Sequence, residues 1–499
     1  MELKEKQTDA YSHVLKYTGI FGGVQGLNIL VGLVRNKLIA VILGPEGMGL
    51  ASLFNSVVNF ISQATNLGLS FSAVRHVSEL FDRGDEAEIA HFVKVVRAWS
   101  LLTALAGMLV CVVAGPLLSS YTFAWGDHTL HFMLLAPAVG LLAITGGETA
   151  ILKGARRLRS LAVVQVYSVL TALVVSVPVY YLFGQAGIVP VIVLMALATM
   201  LLTIYYSLRL YPLQLRGARG VLGEGMGMVR LGVAFVVAGI MGSGAEMIVR
   251  SFLNVSGELD TVGLYNAAYM LTITYAGLVF SSMEVDFFPR LSAVGVDSHQ
   301  LSLTVNRQIE VSLLIVSPML AALIVLLPVL VPLLFSAKFV PMVPMAQVAV
   351  FSMYLKAVSL PISYTNLARG NSLGYLLIEA VYDIILVLLI VVGYRYLGLL
   401  GTGVALALSY LVDLFIVYVY THRHYGYRLS GAVVRYATLQ LLLGAGVYAA
   451  VHVVDHWVGW LAALLLVALS LAYSLFVLHQ KTSLWSALTM KFRKRFRHG

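Results

Sequence analysis

Apolar runs long enough to cross a lipid bilayer recur along nearly the whole chain, and they restrict its fold more than any other feature. Hydrophobic residues occupy 60% of the 499 positions and charged residues only 11%, against about a quarter charged in a soluble domain. Within hydrocarbon the backbone must satisfy its own hydrogen bonds, which favours helices. The sequence therefore predicts an all-α polytopic membrane protein whose function lies inside the helical bundle.

Turn residues and charges divide these runs into fourteen predicted transmembrane helices. Their approximate bounds are 17–43, 47–73, 98–119, 129–150, 160–183, 187–208, 230–254, 261–288, 309–335, 343–367, 373–393, 397–420, 435–453 and 458–479. We predict a six-helix N-terminal lobe over 1–219, a second six-helix lobe over 220–428, and helices 13 and 14 with a basic cytoplasmic tail over 429–499.

Positive charge is distributed unevenly among the connections. Most of the 33 Lys and Arg residues lie at the two ends of the chain or after even-numbered spans, whereas the opposite connections hold only Lys338 and Arg395. Because cytoplasmic connections are enriched in Lys and Arg, both termini are predicted to be cytoplasmic. Topology and contact with membrane lipids explain the basic segments, so we expect no nucleic-acid partner.

Motifs for cofactors, metals and catalysis are missing from the sequence. The single cysteine, Cys111, lies in a predicted span and provides neither a disulfide nor a thiolate metal site. The GEGMG stretch at 223–227 lacks the Lys-Ser or Lys-Thr pair of a phosphate-binding loop, and His422 and His424 have no partners at metal-ligand spacing. We expect no cofactor, no metal centre and no enzymatic activity.

Two stretches with a common spacing indicate an internal duplication. VRNKLI precedes GPEGMGL and then SAVRHVSEL, while VRSFLN precedes GELDTVGLY and then FPRLSAV. Arg35 precedes Arg75 by forty residues, and Arg250 precedes Arg290 by the same number. Membrane transporters commonly contain such repeats. We therefore predict two pseudo-symmetric lobes that flank a cavity.

Polar side chains inside the spans identify candidate substrate-binding residues. An intramembrane cation is tolerated mainly where it faces protein or water, and this predicts functional roles for Arg35, Arg250 and Lys356. Amides and hydroxyls at helical spacing mark one face of three spans: Asn28 in the first, Asn55, Asn59, Gln63 and Asn66 in the second, and Ser359 and Ser363 in the tenth. Such groups either bond neighbouring helices together or line a watery cavity suited to sugars, and we favour the cavity.

Three intramembrane carboxylates are candidates for ion coupling. Glu379 and Asp383 lie one turn apart on a helix and could hold a proton or Na⁺, or else pair with cations on other helices. Glu246 lies one turn from Arg250 and is as well explained by neutralising that arginine as by a substrate role.

The chain resembles the O-antigen and enterobacterial common antigen lipid-linked oligosaccharide flippases, which belong to the multidrug/oligosaccharidyl-lipid/polysaccharide exporter superfamily. The resemblance is carried by KLIAVILGPEGMGLASLFNSV at 37–57, by LPVLVPLLFSAKFVPM at 327–342 and by YLKAVSLPISY at 354–364, and it covers roughly residues 15 to 420.

This resemblance implies a flippase of the bacterial inner membrane that moves an undecaprenyl-diphosphate-linked oligosaccharide, such as an O-antigen unit, by alternating access. It also implies that Arg35, Arg250 and Lys356 receive the diphosphate and sugar. H⁺ or Na⁺ is the candidate coupling ion, and a polysaccharide polymerase is a candidate protein partner. An organic-cation antiporter of the same superfamily is the main alternative, and a membrane-embedded glycosyl polymerase or ligase is a second one.

Overall fold

The computed structural model describes residues 2–123, 126–213, 221–294, 297–453 and 456–481, and these residues contain helices and no strands. The all-α prediction is therefore confirmed. The helices in chain order are α1 Glu2–Thr65, α2 Leu69–Arg83, α3 Glu86–Val113, α4 Gly115–Thr122, α5 Thr129–Gly154, α6 Leu158–Phe183, α7 Ile188–Leu210, α8 Val221–Glu224, α9 Met226–Ser256, α10 Leu259–Tyr269, α11 Ala276–Ser292, α12 Ser298–Leu334, α13 Val343–Ala368, α14 Ser372–Tyr425, α15 Gly431–Val453 and α16 His456–Lys481.

Ten helical segments in the described part of the chain are long and apolar enough to cross a membrane. Three of them have twice the usual length, namely α1, the α6–α7 pair and α14, and each contains two of the predicted spans. The fourteen predicted spans are consistent with this arrangement. The predicted boundary at 219/220 and the basic tail at 482–499 lie outside the described residues.

Glycines with positive φ break two of the double-length helices. Gly44 (φ 67°) interrupts α1 and is followed by Pro45, while Gly398 (φ 56°) interrupts α14. A left-handed backbone suits glycine because it has no Cβ, and proline is favoured at the first position of the helix that follows. Spans 1 and 2, and likewise spans 11 and 12, are therefore joined with almost no connecting loop.

The described structure comprises two compact units. Unit 1 consists of Met1–Gly263 with Leu333–Lys338, and unit 2 consists of Leu264–Pro332 with Phe339–Gly499. Arg35 and Arg250 belong to unit 1, whereas Lys356 belongs to unit 2. The boundaries of the predicted six-helix lobes remain predictions.

Candidate substrate-binding site

Arg35 is held by α6 within unit 1. Its Nε donates a hydrogen bond to the Ser176 hydroxyl, 3.1 Å away, and the arginine side chain is half-buried. Ser176 is fully buried and donates in turn to the carbonyl of Ala172. The buried Tyr180, one turn further along α6, also interacts electrostatically with Arg35. The first predicted cation therefore lies on a polar stripe of a neighbouring helix, which keeps its charge within the membrane-spanning part of the unit.

Arg250 has a carboxylate partner on its own helix. Its Nη1 lies 2.7 Å from Oε2 of Glu246, one turn earlier on α9. The arginine side chain is 13% exposed and the glutamate side chain 50% exposed, so the carboxylate lies at the accessible end of the pair. This geometry favours the interpretation that Glu246 neutralises Arg250, although a substrate role for either residue remains a prediction.

The polar face predicted for the second span is exposed. Asn55, Asn59 and Gln63 are exposed on α1, and Asn66 is half-buried. Asn55 donates to the carbonyl of Ala51 on its own helix, at 2.8 Å. The opposite face of the same segment is buried in the core of unit 1, where Leu53, Phe54, Val57, Val58 and Ile61 are at most 2% exposed. We call Asn55, Asn59 and Gln63 the amide face. Water can satisfy the hydrogen-bonding groups of exposed amides, whereas hydrocarbon cannot.

The helix that bears Arg250 runs beside this segment of α1. A Cβ placed on Gly239 would lie 3.2 Å from Oε1 of Gln63, and one on Gly244 would lie 3.3 Å from the ring of Phe60. Glycines on α9 therefore let the two helices approach closely. Asn28, near the start of the described side chains, is half-buried, and its Oδ1 has no hydrogen-bond partner among the residues that the structure describes.

Lys356 lies among carboxylates and tyrosines in unit 2. Its Nζ is 5.7 Å from the centre of the Tyr410 ring. Glu379 and Asp413, both half-buried on α14, interact electrostatically with the lysine and with each other. Asp383 interacts with the same tyrosine. We call Lys356, Glu379, Asp383, Tyr410 and Asp413 the unit 2 charge cluster; it brings together a predicted substrate cation and two predicted coupling carboxylates.

The serines of the tenth span are buried in this structure, and their substrate-binding role remains a prediction. Ser359 and Ser363 are only 2% and 6% exposed, so they do not line an open watery surface in this structure. Ser359 instead lies within hydrogen-bonding reach of the Asp413 carboxylate. The reason is close packing between α13 and α14, where a Cβ on Gly403 would overlap the backbone of Met345. The alternative interpretation, in which hydroxyls join neighbouring helices, is therefore favoured for these two residues.

Two charged contacts were not predicted from the sequence. Asp413 was visible as an intramembrane carboxylate, but its proximity to Lys356 and Ser359 depends on which helices face each other. Arg97 and Glu148 form a buried ion pair between α3 and α5, with Nε and Oε1 2.8 Å apart and side chains 12% and 7% exposed. Arg97 also donates to Ser207 at 3.3 Å. No periodicity in the sequence signals such pairs between helices.

A helical membrane protein with charged and amide side chains inside its spans has the character of a transporter, and solved structures share its fold. The structure resembles the lipid II flippase MurJ in an inward closed conformation, with a TM-score of 0.73 and 12% identity over 92% of this chain and 99% of that chain. It also resembles an inward-facing multidrug resistance MATE family transporter of the MOP superfamily, with a TM-score of 0.65 and 16% identity over 82% of this chain and 96% of that one.

Sequence comparison narrows this class to a family. The lipid III flippase of Escherichia coli K12 is 24% identical over 365 residues, which cover 71% of this chain and 85% of that protein. The family model described as polysaccharide biosynthesis protein matches residues 38–344, more than half of the chain. The chain belongs to this family of polysaccharide biosynthesis proteins, which confirms the resemblance identified from its sequence.

Proposed function

We propose that this protein is a flippase that carries a lipid-linked oligosaccharide from the cytoplasmic to the outer leaflet of the bacterial inner membrane by alternating access. The family membership and the similarity to a lipid III flippase support this function. The structural observation that carries it is the amide face, because three exposed amides on a membrane-spanning segment suit a hydrated path for sugars. The proposed substrate is an undecaprenyl-diphosphate-linked unit of O-antigen or a related surface polysaccharide.

Arg35 is the proposed binding group for the diphosphate. A guanidinium presents several donors in a planar fork that suits phosphate oxygens, and the bond from Nε to the Ser176 hydroxyl fixes one edge of the Arg35 guanidinium. An anion held there would compensate part of the cost of keeping the arginine within the membrane. Lys356 and Arg250 are proposed as further contacts of the substrate, with Glu246 modulating the charge of Arg250.

Ion coupling is proposed to use the unit 2 charge cluster. A carboxylate next to a lysine and other carboxylates can gain or lose a proton, or bind a cation, at a modest cost in free energy. The reason is that the charges of neighbouring groups stabilise one protonation state or the other. Glu379 and Asp383 are the carboxylates predicted from the sequence, and Asp413 joins them on the basis of its contacts. Either H⁺ or Na⁺ would serve, and collapse of each gradient in turn during a transport assay distinguishes them.

Export of organic cations is the second candidate function. The carboxylates of the unit 2 charge cluster favour it, because cationic drugs are bound by carboxylates. The flippase and antiporter functions differ in the expected effect of Arg35, because its positive charge attracts a diphosphate and repels an organic cation. A membrane-embedded polymerase or ligase would change the glycan covalently, whereas a flippase returns it unchanged.

Reconstitution into liposomes tests the proposal. A fluorescent polyprenyl-diphosphate oligosaccharide is placed in the inner leaflet, and its arrival outside is followed with a membrane-impermeant quencher. We expect the protein to accelerate this arrival over protein-free liposomes, with no chemical change in the lipid. Organic-cation efflux without lipid movement would overturn the flippase assignment in favour of the antiporter.

Variants of Arg35 test the site. We expect Arg35→Ala to slow the arrival at least tenfold or so, Arg35→Lys to retain part of the activity, and Ser176→Ala to cause a smaller loss because the arginine is only repositioned. Arg423→Ala, which removes an exposed arginine at the end of α14, serves as the matched control and should leave the rate unchanged. An unchanged rate in Arg35→Ala protein with a normal unfolding temperature would refute this role.

A further inference from the structure

A cavity of about 750 Å³ lies within unit 2, and none of its described lining residues belongs to the unit 2 charge cluster. It is bordered by the end of α11, the first turns of α12, the residue preceding α15 and the last residue of α16. Its described polar lining comprises Arg290, Asn306, Arg307, Gln308, Glu310, Ser430 and Lys481. The predicted topology places all of these residues at the cytoplasmic ends of their helices. We call this space the basic pocket.

Hydrogen bonds fix the wall of the basic pocket that precedes α15. Asn306 donates from Nδ2 to the carbonyl of Arg428 at 2.9 Å, and its Oδ1 accepts from the Tyr427 hydroxyl at 2.9 Å and from the Ser430 amide at 3.2 Å. Tyr427 is fully buried. The Ser302 hydroxyl accepts from the amide of Arg428 at 3.1 Å. The connection between α14 and α15 is therefore anchored to α12, and the basic pocket is a built feature of the unit.

Charge in the basic pocket is predominantly positive. Among the described residues that line it, three are cations, Arg290, Arg307 and Lys481, and one is a carboxylate, Glu310. Glu310 is bonded to Lys481, and Arg290 donates to Gln308 at 3.5 Å. Arg307 is exposed and makes no ion pair with any residue in the described part of the chain. Such a pocket attracts an anion with several acceptor oxygens.

The rest of the lining is apolar. Met283, Leu303 and Val311 border the same space, and Leu303 and Val311 are partly exposed at 36% and 37%. A soluble anion gains nothing from these side chains, whereas the glycerol and upper acyl segments of a lipid would cover them. Basic pockets between membrane helices near the cytoplasmic surface suit the headgroups of anionic lipids.

We propose that the basic pocket binds the phosphate of a lipid headgroup, with Arg307 and Lys481 as its principal ligands and with the lipid chains lying against Leu303 and Val311. The lipid is either an anionic glycerophospholipid of the inner leaflet or a polyprenyl diphosphate. This binding does not require transport, since neither Arg35 nor a residue of the amide face is among the described lining residues of the basic pocket.

Lipid titration of the purified full-length protein in detergent tests this site, with bound lipid counted by native mass spectrometry. The probes are dioleoyl phosphatidylglycerol, dioleoyl phosphatidylcholine, undecaprenyl diphosphate and glycerol 3-phosphate. We expect phosphatidylglycerol or undecaprenyl diphosphate, or both, to bind more tightly than phosphatidylcholine, and the two anionic probes identify the source of the phosphate. Glycerol 3-phosphate should bind far more weakly, because it lacks the chains.

Three variants assign the binding to the basic pocket. The double variant Arg307→Gln/Lys481→Gln should weaken the anionic lipid at least about tenfold, since two nearby cations are lost. Glu310→Gln removes the opposing carboxylate and should strengthen binding several-fold, a gain that misfolding cannot imitate. Arg423→Gln, an exposed arginine outside the pocket, should change nothing.

Three results would overturn the proposal. One is equal binding of phosphatidylglycerol, undecaprenyl diphosphate and phosphatidylcholine. A second is wild-type affinity for the anionic lipids in the double variant. The third is glycerol 3-phosphate binding as tightly as the lipids. None of these results bears on transport in liposomes, so failure here is distinguishable from failure of the flippase assignment.

Discussion

Arg250 and Glu246 form an ion pair one turn apart on α9, with Nη1 and Oε2 2.7 Å apart. The acidic residue precedes the basic one by four positions, which is the favourable order for such a pair on a helix. The pair reduces the net charge that α9 brings to the unit. Arg35, the other predicted cation of unit 1, donates instead to the neutral hydroxyl of Ser176.

A double-mutant cycle measures the Arg250–Glu246 coupling. We expect Glu246→Gln and Arg250→Gln each to lower the free energy of unfolding, and the double variant to lose about 0.5–1 kcal/mol less than the sum of the two. The mostly buried arginine makes the coupling larger than that of an exposed pair, whereas the half-exposed glutamate limits it. Thermal unfolding in detergent provides the measurement, and strictly additive losses would show that the pair contributes nothing.

Chemical accessibility tests whether the amide face is hydrated. A cysteine at Asn59 should react with a membrane-impermeant, charged thiol reagent, because its side chain is exposed on a polar face. A cysteine at Leu105, an exposed apolar position of α3, should remain unreactive because lipid covers it. The native Cys111 is fully buried and supplies no background. Equal protection of both cysteines would place the amide face out of contact with water.

The buried Arg97–Glu148 pair should contribute to folding without taking part in transport. Glu148→Ala leaves the arginine charge buried, and we expect the loss of about 3 kcal/mol in the free energy of unfolding that broken buried pairs show. Replacing both partners, as in Arg97→Leu/Glu148→Leu, should be much less harmful. The transport rate per folded molecule should stay the same in each variant. Unchanged unfolding of the Glu148→Ala protein would contradict the pairing.

Gly401 is a sensitive position in α14. A Cβ at this residue would overlap the carbonyl oxygen of Gly393, across the break at Gly398. We expect Gly401→Ala to destabilise the protein by about 1–3 kcal/mol through overpacking. Gly277→Ala is the matched control, since a Cβ there has nothing within 4 Å and alanine favours the helix. Similar unfolding temperatures for the two variants would contradict the close approach.

The helical repeat of the sequence predicted the features that are determined within a single helix. The amide face follows from spacings of four residues, and its exposed side is the side expected from Asn55, Asn59 and Gln63. The Gly44–Pro45 pair likewise marks the end of one span and the start of the next. These features are local because the helical repeat alone determines which side chains share a face.

Features that depend on pairs of helices were not predictable in the same way. Ser359 and Asn59 look alike in the sequence, yet Ser359 is buried against Asp413 and Asn59 is exposed. The difference is set by α14, whose close packing on α13 cannot be deduced from either helix alone. The partners of Arg97 and Lys356 were missed for the same reason.

The short segment Leu333–Lys338 belongs to unit 1, although the residues on either side of it belong to unit 2. The polypeptide thus passes between the units three times, at 263/264, 332/333 and 338/339. Two gene fragments split at the first crossing would not each encode a whole unit, because the first fragment would lack these six residues. The first fragment expressed alone should therefore fail to reach its native packing, and co-expression of the second fragment, which carries Leu333–Lys338, should restore it.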